Sequence, residues 1–284
     1  MEEVAARYRE QAPPPAAAAL ATCAWGMDAR SPRARAVRVL PDAHVDLVWG
    51  RGIGAFVAGP DTTAQLSPVA SDRPLRGLRL RRGAAAAVLG VPARELRDRR
   101  VPLAAVRELA GLPPVEDERL APDAAPDAAA TALADLVAAR RGRAGASERV
   151  AAALVGLTGG PALPVPALAD RLGYSERQLR RIADDALGYG PTVLGRVLRL
   201  QRWLAAAEVP GAPGLAASAA AAGYADQAHL SRDCRALAGL PPAALLAERA
   251  AAGRRRPADG GGVAPRRTGL RPSGSARAAP GGRR

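Results

Sequence analysis

The chain has 284 residues and a net charge of +14; apolar residues make up 48% of it, aromatic residues only 3%, and all 41 basic residues are Arg. That length and apolar content suffice for two modest domains with cores of Leu, Val and Ala. Two widely separated cysteines (Cys23, Cys234) and two histidines (His44, His229) exclude a disulfide framework and a His-rich metal centre, and no apolar run is rich enough in large side chains to span a bilayer.

From the N-terminus, residues 20–110 read as a mixed α+β domain. Leu20–Met27, Ala36–Leu40, Val45–Trp49, Ile53–Ala58 and Leu75–Leu80 have strand composition, with a turn at Pro41-Asp42. Gly50-Arg51-Gly52-Ile53-Gly54 lacks the spacing of a nucleotide loop and reads as a hairpin turn. Gly83–Leu89 and Pro102–Leu109 read as short helices closed by Gly90 and Gly111. Asp42, His44 and Asp46 alternate on one strand face, a pattern that can bind a metal or serve acid–base chemistry. With no further His or Cys close by, a turn and a solvated face is the expectation. Cys23, beside Trp25, is expected to be a small core residue. The opening Met1-Glu2-Glu3 lacks the basic segment of a signal peptide. The expectation is a soluble cytoplasmic protein with no cofactor, no metal and no membrane partner.

Residues 113–128 are an acidic Pro/Ala stretch of linker composition, followed by a helix from about Ala128 to Arg141. A division follows: a domain over 1–112, a linker and connecting helix over 113–145, a helical unit over 146–250, and a tail over 251–284. The tail carries nine Arg against the single acid Asp259, whereas 165–250 carries ten Arg against eight acids. Most of the net charge therefore lies in a Gly/Pro/Arg segment expected to be disordered, and it argues little for nucleic acid by itself.

The helical unit contains an internal repeat. Leu172-Gly173-Tyr174-Ser175 and Ala222-Gly223-Tyr224-Ala225 each follow a short helix, over Ala167–Leu172 and Leu215–Ala222. Gly173 and Gly223 supply the positive φ of a tight bend. Ser175 and Asp226 are placed to cap second helices, over Glu176–Leu187 and to about Ala238. Leu179/Leu230, Arg181/Arg232, Ala183/Cys234, Gly188/Gly239 and Pro191/Pro242 correspond at a constant offset of 51. Leu179, Ile182, Ala183 and Ala186 share one face of the first helix; Leu230, Cys234 and Leu237 share one face of the second. Arg177, Arg180 and Arg181, then Gln227, His229, Ser231 and Arg232, are left for an outward face. Guanidinium groups there can bond guanine or clamp phosphate. Between the units lies an amphipathic helix over Thr192–Glu208, 17 residues spanning about 26 Å. Successive major-groove faces lie about 34 Å apart, so this spacer can hold a reading helix in each of two adjacent grooves. Arginine on a helix face is usually just solvated; the repeat, the bends and the spacer together favour DNA.

Ala169-Asp170-Arg171-Leu172-Gly173-Tyr174-Ser175, Leu179-Arg180-Arg181, Gly223-Tyr224-Ala225-Asp226-Gln227-Ala228-His229-Leu230-Ser231-Arg232 and Gly239-Leu240-Pro241-Pro242 carry a family resemblance. Residues 165–246 resemble the DNA-binding domain of AraC/XylS-type bacterial regulators. The resemblance implies a seven-helix, two-lobed domain whose base-facing positions fall on Arg177, Arg180, Arg181, Gln227, His229, Ser231 and Arg232. It implies double-stranded operator DNA and RNA polymerase as partners. Where that family usually has an aromatic in each reading helix, this chain has Ala183 and Cys234, which fill less core. The segment 39–49 and Gly83–Glu95 resemble the small β-rich, barrel-like domain found ahead of such readers. That likeness implies a small-molecule effector or self-association as a homodimer, with no effector-binding residue carried over.

The leading reading is a sequence-specific transcription factor, not an enzyme. An enzyme built on the β-rich half is the alternative, but residues 20–110 hold one His, one Cys and no compelling triad. A purely protein-binding helical module is a third, distinguished by the absence of salt-dependent DNA affinity.

Overall fold

A computed structural model describes residues 7–28, 35–69, 73–140, 142, 145–158 and 163–251. Its first domain contains strands β1 (Arg7–Gln11), β2 (Ala21–Asp28), β3 (Arg35–Val39), β4 (Asp46–Gly50), β5 (Gly54–Ala58), β6 (Gln65–Val69), β7 (Leu75–Leu80) and β8 (Arg100–Pro102). Six of them form an antiparallel sheet in the order β1-β2-β7-β4-β5-β8, while β3 and β6 pair as a separate ribbon. The β4–β5 hairpin turns through Gly52 and Gly54, both at positive φ, as the glycine run predicts.

Period-two alternation sorts this sheet into two faces. The register sets Leu47 against Leu78 and Val57, and Asp46 against Arg79. Leu47, Trp49, Val57, Leu78 and Leu80 are buried in one core with helices α1 (Ala85–Leu89), α2 (Leu103–Leu109) and α3 (Pro126–Ala138). Tyr8, Glu10, Cys23, Trp25, Asp46 and Arg79 take the opposite face.

The stretch read as linker and connecting helix belongs instead to this first core. Leu120, Ala129, Leu133 and Val137 are buried in it. The Trp49 indole N–H donates to the Ala121 carbonyl at 2.8 Å, and the Gly52 N–H donates to the Pro122 carbonyl at 2.8 Å. Prolines and acids dominate the composition of 113–128, and only Leu120 and the α3 spacing betray the buried side.

Seven helices follow among the described residues, the number the resemblance implies: α4 (Ala146–Thr158), α5 (Val165–Leu172), α6 (Glu176–Leu187), α7 (Pro191–Ala207), α8 (Leu215–Ala221), α9 (Gln227–Ala238) and α10 (Pro242–Ala251). One apolar cluster joins them, with Leu154, Leu168, Leu179, Leu200, Trp203, Leu230 and Leu245 fully buried. Trp203 of α7 donates its indole N–H to the Ser218 hydroxyl of α8 at 3.2 Å, which ties the spacer to the second lobe. Leu40 and Ala43 of the first domain are buried in this same cluster, so the two domains share apolar packing. The tail expected to be disordered lies, beyond Ala251, outside the described residues. No helix among the described residues is long and apolar enough to cross a membrane.

Candidate nucleic-acid interface

Both bends are built alike. Helix α5 stops at Gly173, φ 72°, and the Tyr174 N–H reaches back to the Ala169 carbonyl at 3.0 Å. After α8, Gly223 has φ 87° and the Tyr224 N–H bonds the Ala219 carbonyl at 3.0 Å. This is the wrap of a left-handed helix stop, in which glycine avoids a Cβ clash. Ser175 then opens α6 with a reciprocal cap: its hydroxyl accepts from the Gln178 N–H, and its own N–H donates to the Gln178 side chain at 3.0 Å. Asp226 opens α9 by accepting the His229 N–H at 2.6 Å. Each cap contributes about 1 kcal/mol.

The buried sets of the two helices correspond at the offset of 51. Leu179, Ala183, Ala186 and Leu187 are buried on α6; Leu230, Cys234, Leu237 and Ala238 are buried on α9. Ala183 and Cys234, where the family resemblance expects aromatics, are fully enclosed, and burial pushes the Cys234 thiol up to about 12. Ile182 is only half-buried, at the position where α9 carries the buried Asp233.

Arg177, Arg180 and Arg181 are exposed on α6, and Gln227 and Arg232 are exposed on α9. Arg180 pairs with Glu176 one turn away at 2.8 Å, a solvent-exposed contact of little stabilising value. Ser231 is half-buried. His229 is turned partly into packing: its ring stands edge-on to Tyr224, centroids 5.2 Å apart, and Nε2 is 4.0 Å from the Asp233 carboxylate. Arg235, which the sequence reading passed over, is exposed on the same side as Arg232, three residues on. The repeat offset does not point to it, since Arg235 corresponds to Asp184 of α6; its spacing of three from Arg232 is the signal that could have found it.

Asp233 locks the spacer to the second of these helices. Its carboxylate lies 2.9 Å from Arg196 Nε and 3.6 Å from Arg199, both on α7. Arg199 stacks 5.2 Å above the Tyr224 ring. Burial, reinforced by Asp233, raises the Tyr224 hydroxyl above its ordinary range and keeps it neutral.

The first domain meets both helices at their carbonyl ends. Arg97 donates to the Gly188 carbonyl and to Asp184, and Arg94 pairs with Asp185. Arg38 donates to the Ala238 carbonyl at 2.9 Å. The Arg-bearing N-terminal halves of the helices stay open.

Asp42, His44 and Asp46 do not form the solvated face expected of them. Arg79 reaches Asp46 at 3.2 Å, Glu10 at 3.3 Å and Asp42 at 3.6 Å, and Arg82 donates to the Asp42 carbonyl at 3.0 Å. Burial alone would raise the Asp42 carboxyl, but Arg79, with the His44 backbone N–H and Arg82, overrides it and holds the group well below the carboxylate range. Burial holds His44 well below the ordinary imidazole value, so the neutral ring bonds the Leu80 carbonyl through Nδ1 at 2.8 Å. Cys23 is half-buried beside Arg79, not a core residue, and burial pushes its thiol up to about 11. A guanidinium supplies the charge these carboxylates need, and no group of three metal-binding side chains forms among the described residues.

Residues 168–248 match the family model described as a helix-turn-helix domain. Residues 9–102 match another, described as a domain of unknown function (DUF6597). No curated protein matches the chain. Among solved structures, ToxT from Vibrio cholerae O395 superimposes with a TM-score of 0.41 at 8% identity, over 78% of this chain and 95% of that one. An apo ToxT variant from Vibrio cholerae strain SCE256 superimposes with a TM-score of 0.42 at 10% identity, over 79% of this chain and 96% of that one.

Proposed function

We propose, from the premise that residues 168–248 are a helix-turn-helix domain of the AraC type in a DNA-binding regulator of transcription, that α6 and α9 read base edges in two successive major grooves. The observation that carries this reading is the paired construction: each helix is capped at its N-terminus, packed through corresponding residues and presents an arginine, Arg181 or Arg232, at the same outward position. Helix N-termini and flanking arginines would fix the register on phosphates, and the outward side chains would select sequence. Arg177, Arg180, Arg181, Gln227, Ser231 and Arg232 are the readers, joined by Arg235. His229 contributes its exposed edge only. The first domain, on this reading, biases the reader by taking up a small-molecule effector or by self-association, and RNA polymerase is the downstream partner.

Selection from a random duplex library tests the proposal. The full chain should enrich a bipartite sequence whose halves lie one helical turn apart. On that duplex Arg181→Ala and Arg232→Ala should each weaken binding by about 1–3 kcal/mol and relax preference in opposite halves. Unchanged affinity in both variants, measured by gel shift at fixed salt, would remove these faces from the reading surface.

A further inference from the structure

The carbonyl ends of α6 and α9 are both held by arginines of the first domain. Arg97 follows the 3-10 turn Ala93–Leu96 and bonds the Gly188 carbonyl and Asp184; Arg94, within that turn, takes Asp185. Arg38 on β3 bonds the Ala238 carbonyl and is steadied by Glu248 of α10 at 3.0 Å. Beside it the Ala64 N–H donates to the Leu237 carbonyl at 2.7 Å. A cation at this end of a helix meets the negative pole of its dipole and satisfies carbonyls that have no partner within the helix. The approach is close. A Cβ on Gly188 would stand 2.3 Å from Pro60 Cγ, and one on Gly239 would stand 3.4 Å from Arg38 Nη1.

The two anchors are braced to each other. Segment 59–64 joins β5 to β6 of the ribbon, and its first residues are tied to Asp98 and Arg99, just after the 3-10 turn. The Gly59 N–H donates to the Arg99 carbonyl at 3.0 Å, and the Asp98 N–H donates to the Pro60 carbonyl at 3.1 Å. Thr62 donates its N–H and hydroxyl to the Asp98 carboxylate at 2.7 and 2.8 Å. Through this segment and the β3–β6 pairing, the residues after the 3-10 turn are linked to the strand that carries Arg38.

Charge gives a second reason for the contact. Asp184 and Asp185 lie one turn beyond Arg181, on the side of α6 that also carries Arg177. Bare, they would repel phosphate next to the reading arginines. At the corresponding positions α9 has Arg235 and Ala236. Arg97 and Arg94 thus neutralise acids that occur in only one of the two halves.

We propose that Arg38 and Arg97 are positioning residues for DNA recognition, through which the first domain acts as a yoke that sets the separation and pitch of the two reading helices. This rests on the DNA-reading function proposed above. The yoke makes half-site spacing, rather than half-site sequence, the property that depends on the first domain.

The test uses the full chain and the duplex it selects from random DNA, together with versions carrying one base pair added or removed between the halves. One base pair displaces a half-site by about 3.4 Å, and wild type should lose about tenfold in affinity on either change. Arg97→Ala and Arg38→Ala should bind the altered spacings within about threefold of the selected one; Arg38→Ala should keep wild-type affinity for a lone half-site, whereas Arg97→Ala, which bares Asp184, should lose a few-fold on the α6 half-site alone. Arg97→Lys keeps the positive charge but not the forked donor, and should restore affinity for the α6 half-site without restoring spacing preference. Arg51→Ala, on the distant hairpin, should behave as wild type. If the alanine variants weaken all spacings equally, or leave spacing preference intact, the yoke is wrong while DNA reading stands. If wild type enriches no sequence at all, DNA reading itself falls, and the yoke with it.

Discussion

His44 shows how a residue can look like a catalytic or metal-binding group and be a packed one. It sits between Asp42 and Asp46 in the segment leading into β4, beside Arg79, and its ring is committed to the Leu80 carbonyl. Burial, with Arg82 and Arg79 nearby, lowers its proton affinity in the folded state. The unfolded chain, with an ordinary imidazole near 6.5, then binds more protons than the native one as pH falls. The stabilising contribution is therefore complete above about pH 6.5 and is lost below it, by at most about 1.4 kcal/mol per pH unit. Asp42, also lowered, adds a loss of the same sign at lower pH, whereas Asp46, raised by burial, acts in the opposite direction. Urea unfolding between pH 7 and 5 should show wild type weakening steadily and His44→Gln, which keeps a donor toward Leu80, nearly flat. Parallel slopes for the two proteins would mean that the imidazole is not held neutral.

Strand β7 illustrates how an element can depend on one missing side chain. Gly77 pairs with Trp25 across β2, and a Cβ there would lie 2.0 Å from the indole. Gly77→Ala should push Trp25 off the sheet, cost about 1–3 kcal/mol by overpacking, and change tryptophan emission, since Trp49 and Trp203 stay buried. A variant with wild-type emission and melting temperature would show that the sheet adjusts without strain. The elements readable in advance were those with local punctuation. Helix α6 runs over the predicted Glu176–Leu187 because Ser175 and Gly188 mark both ends, and α9 is bounded likewise by Asp226 and Gly239. Strands β1 and β8 went unread because Arg-Tyr-Arg-Glu-Gln is polar and Arg-Val-Pro is too short to show a period; β6 contains Pro68. Within the candidate site, the caps and outward arginines are local and legible. The engagement of His229 by Tyr224 and Asp233 is local, five and four residues away, but was masked by the outward-face assignment; Arg79 lies 33 residues from Asp46, so that cluster could not be seen in a window of sequence. The contacts of Arg97 with α6 span about 90 residues and leave no periodic trace.

At the scale of the molecule, the helices proposed to read sequence and most of the net positive charge lie in different parts of the chain. Residues 252–284 hold nine of the 41 arginines and one acid, so removing them takes +8 from a net charge of +14. The helices that would select sequence all precede that segment, and α6 even carries acids that the first domain neutralises. Attraction to phosphate is additive and sequence-blind: each neutralised phosphate steepens the dependence of log affinity on log salt by about 0.9. Discrimination instead comes from a few base contacts on positioned helices. A chain ending at Ala251 should therefore bind random duplex more weakly, with a shallower salt slope, yet keep the ratio between its affinities for the selected and random duplexes. The measurement is a pair of salt titrations on each duplex with both chain lengths. A shortened chain whose ratio collapsed would locate part of the sequence reading in the basic segment, because loss of nonspecific attraction alone lowers both affinities together.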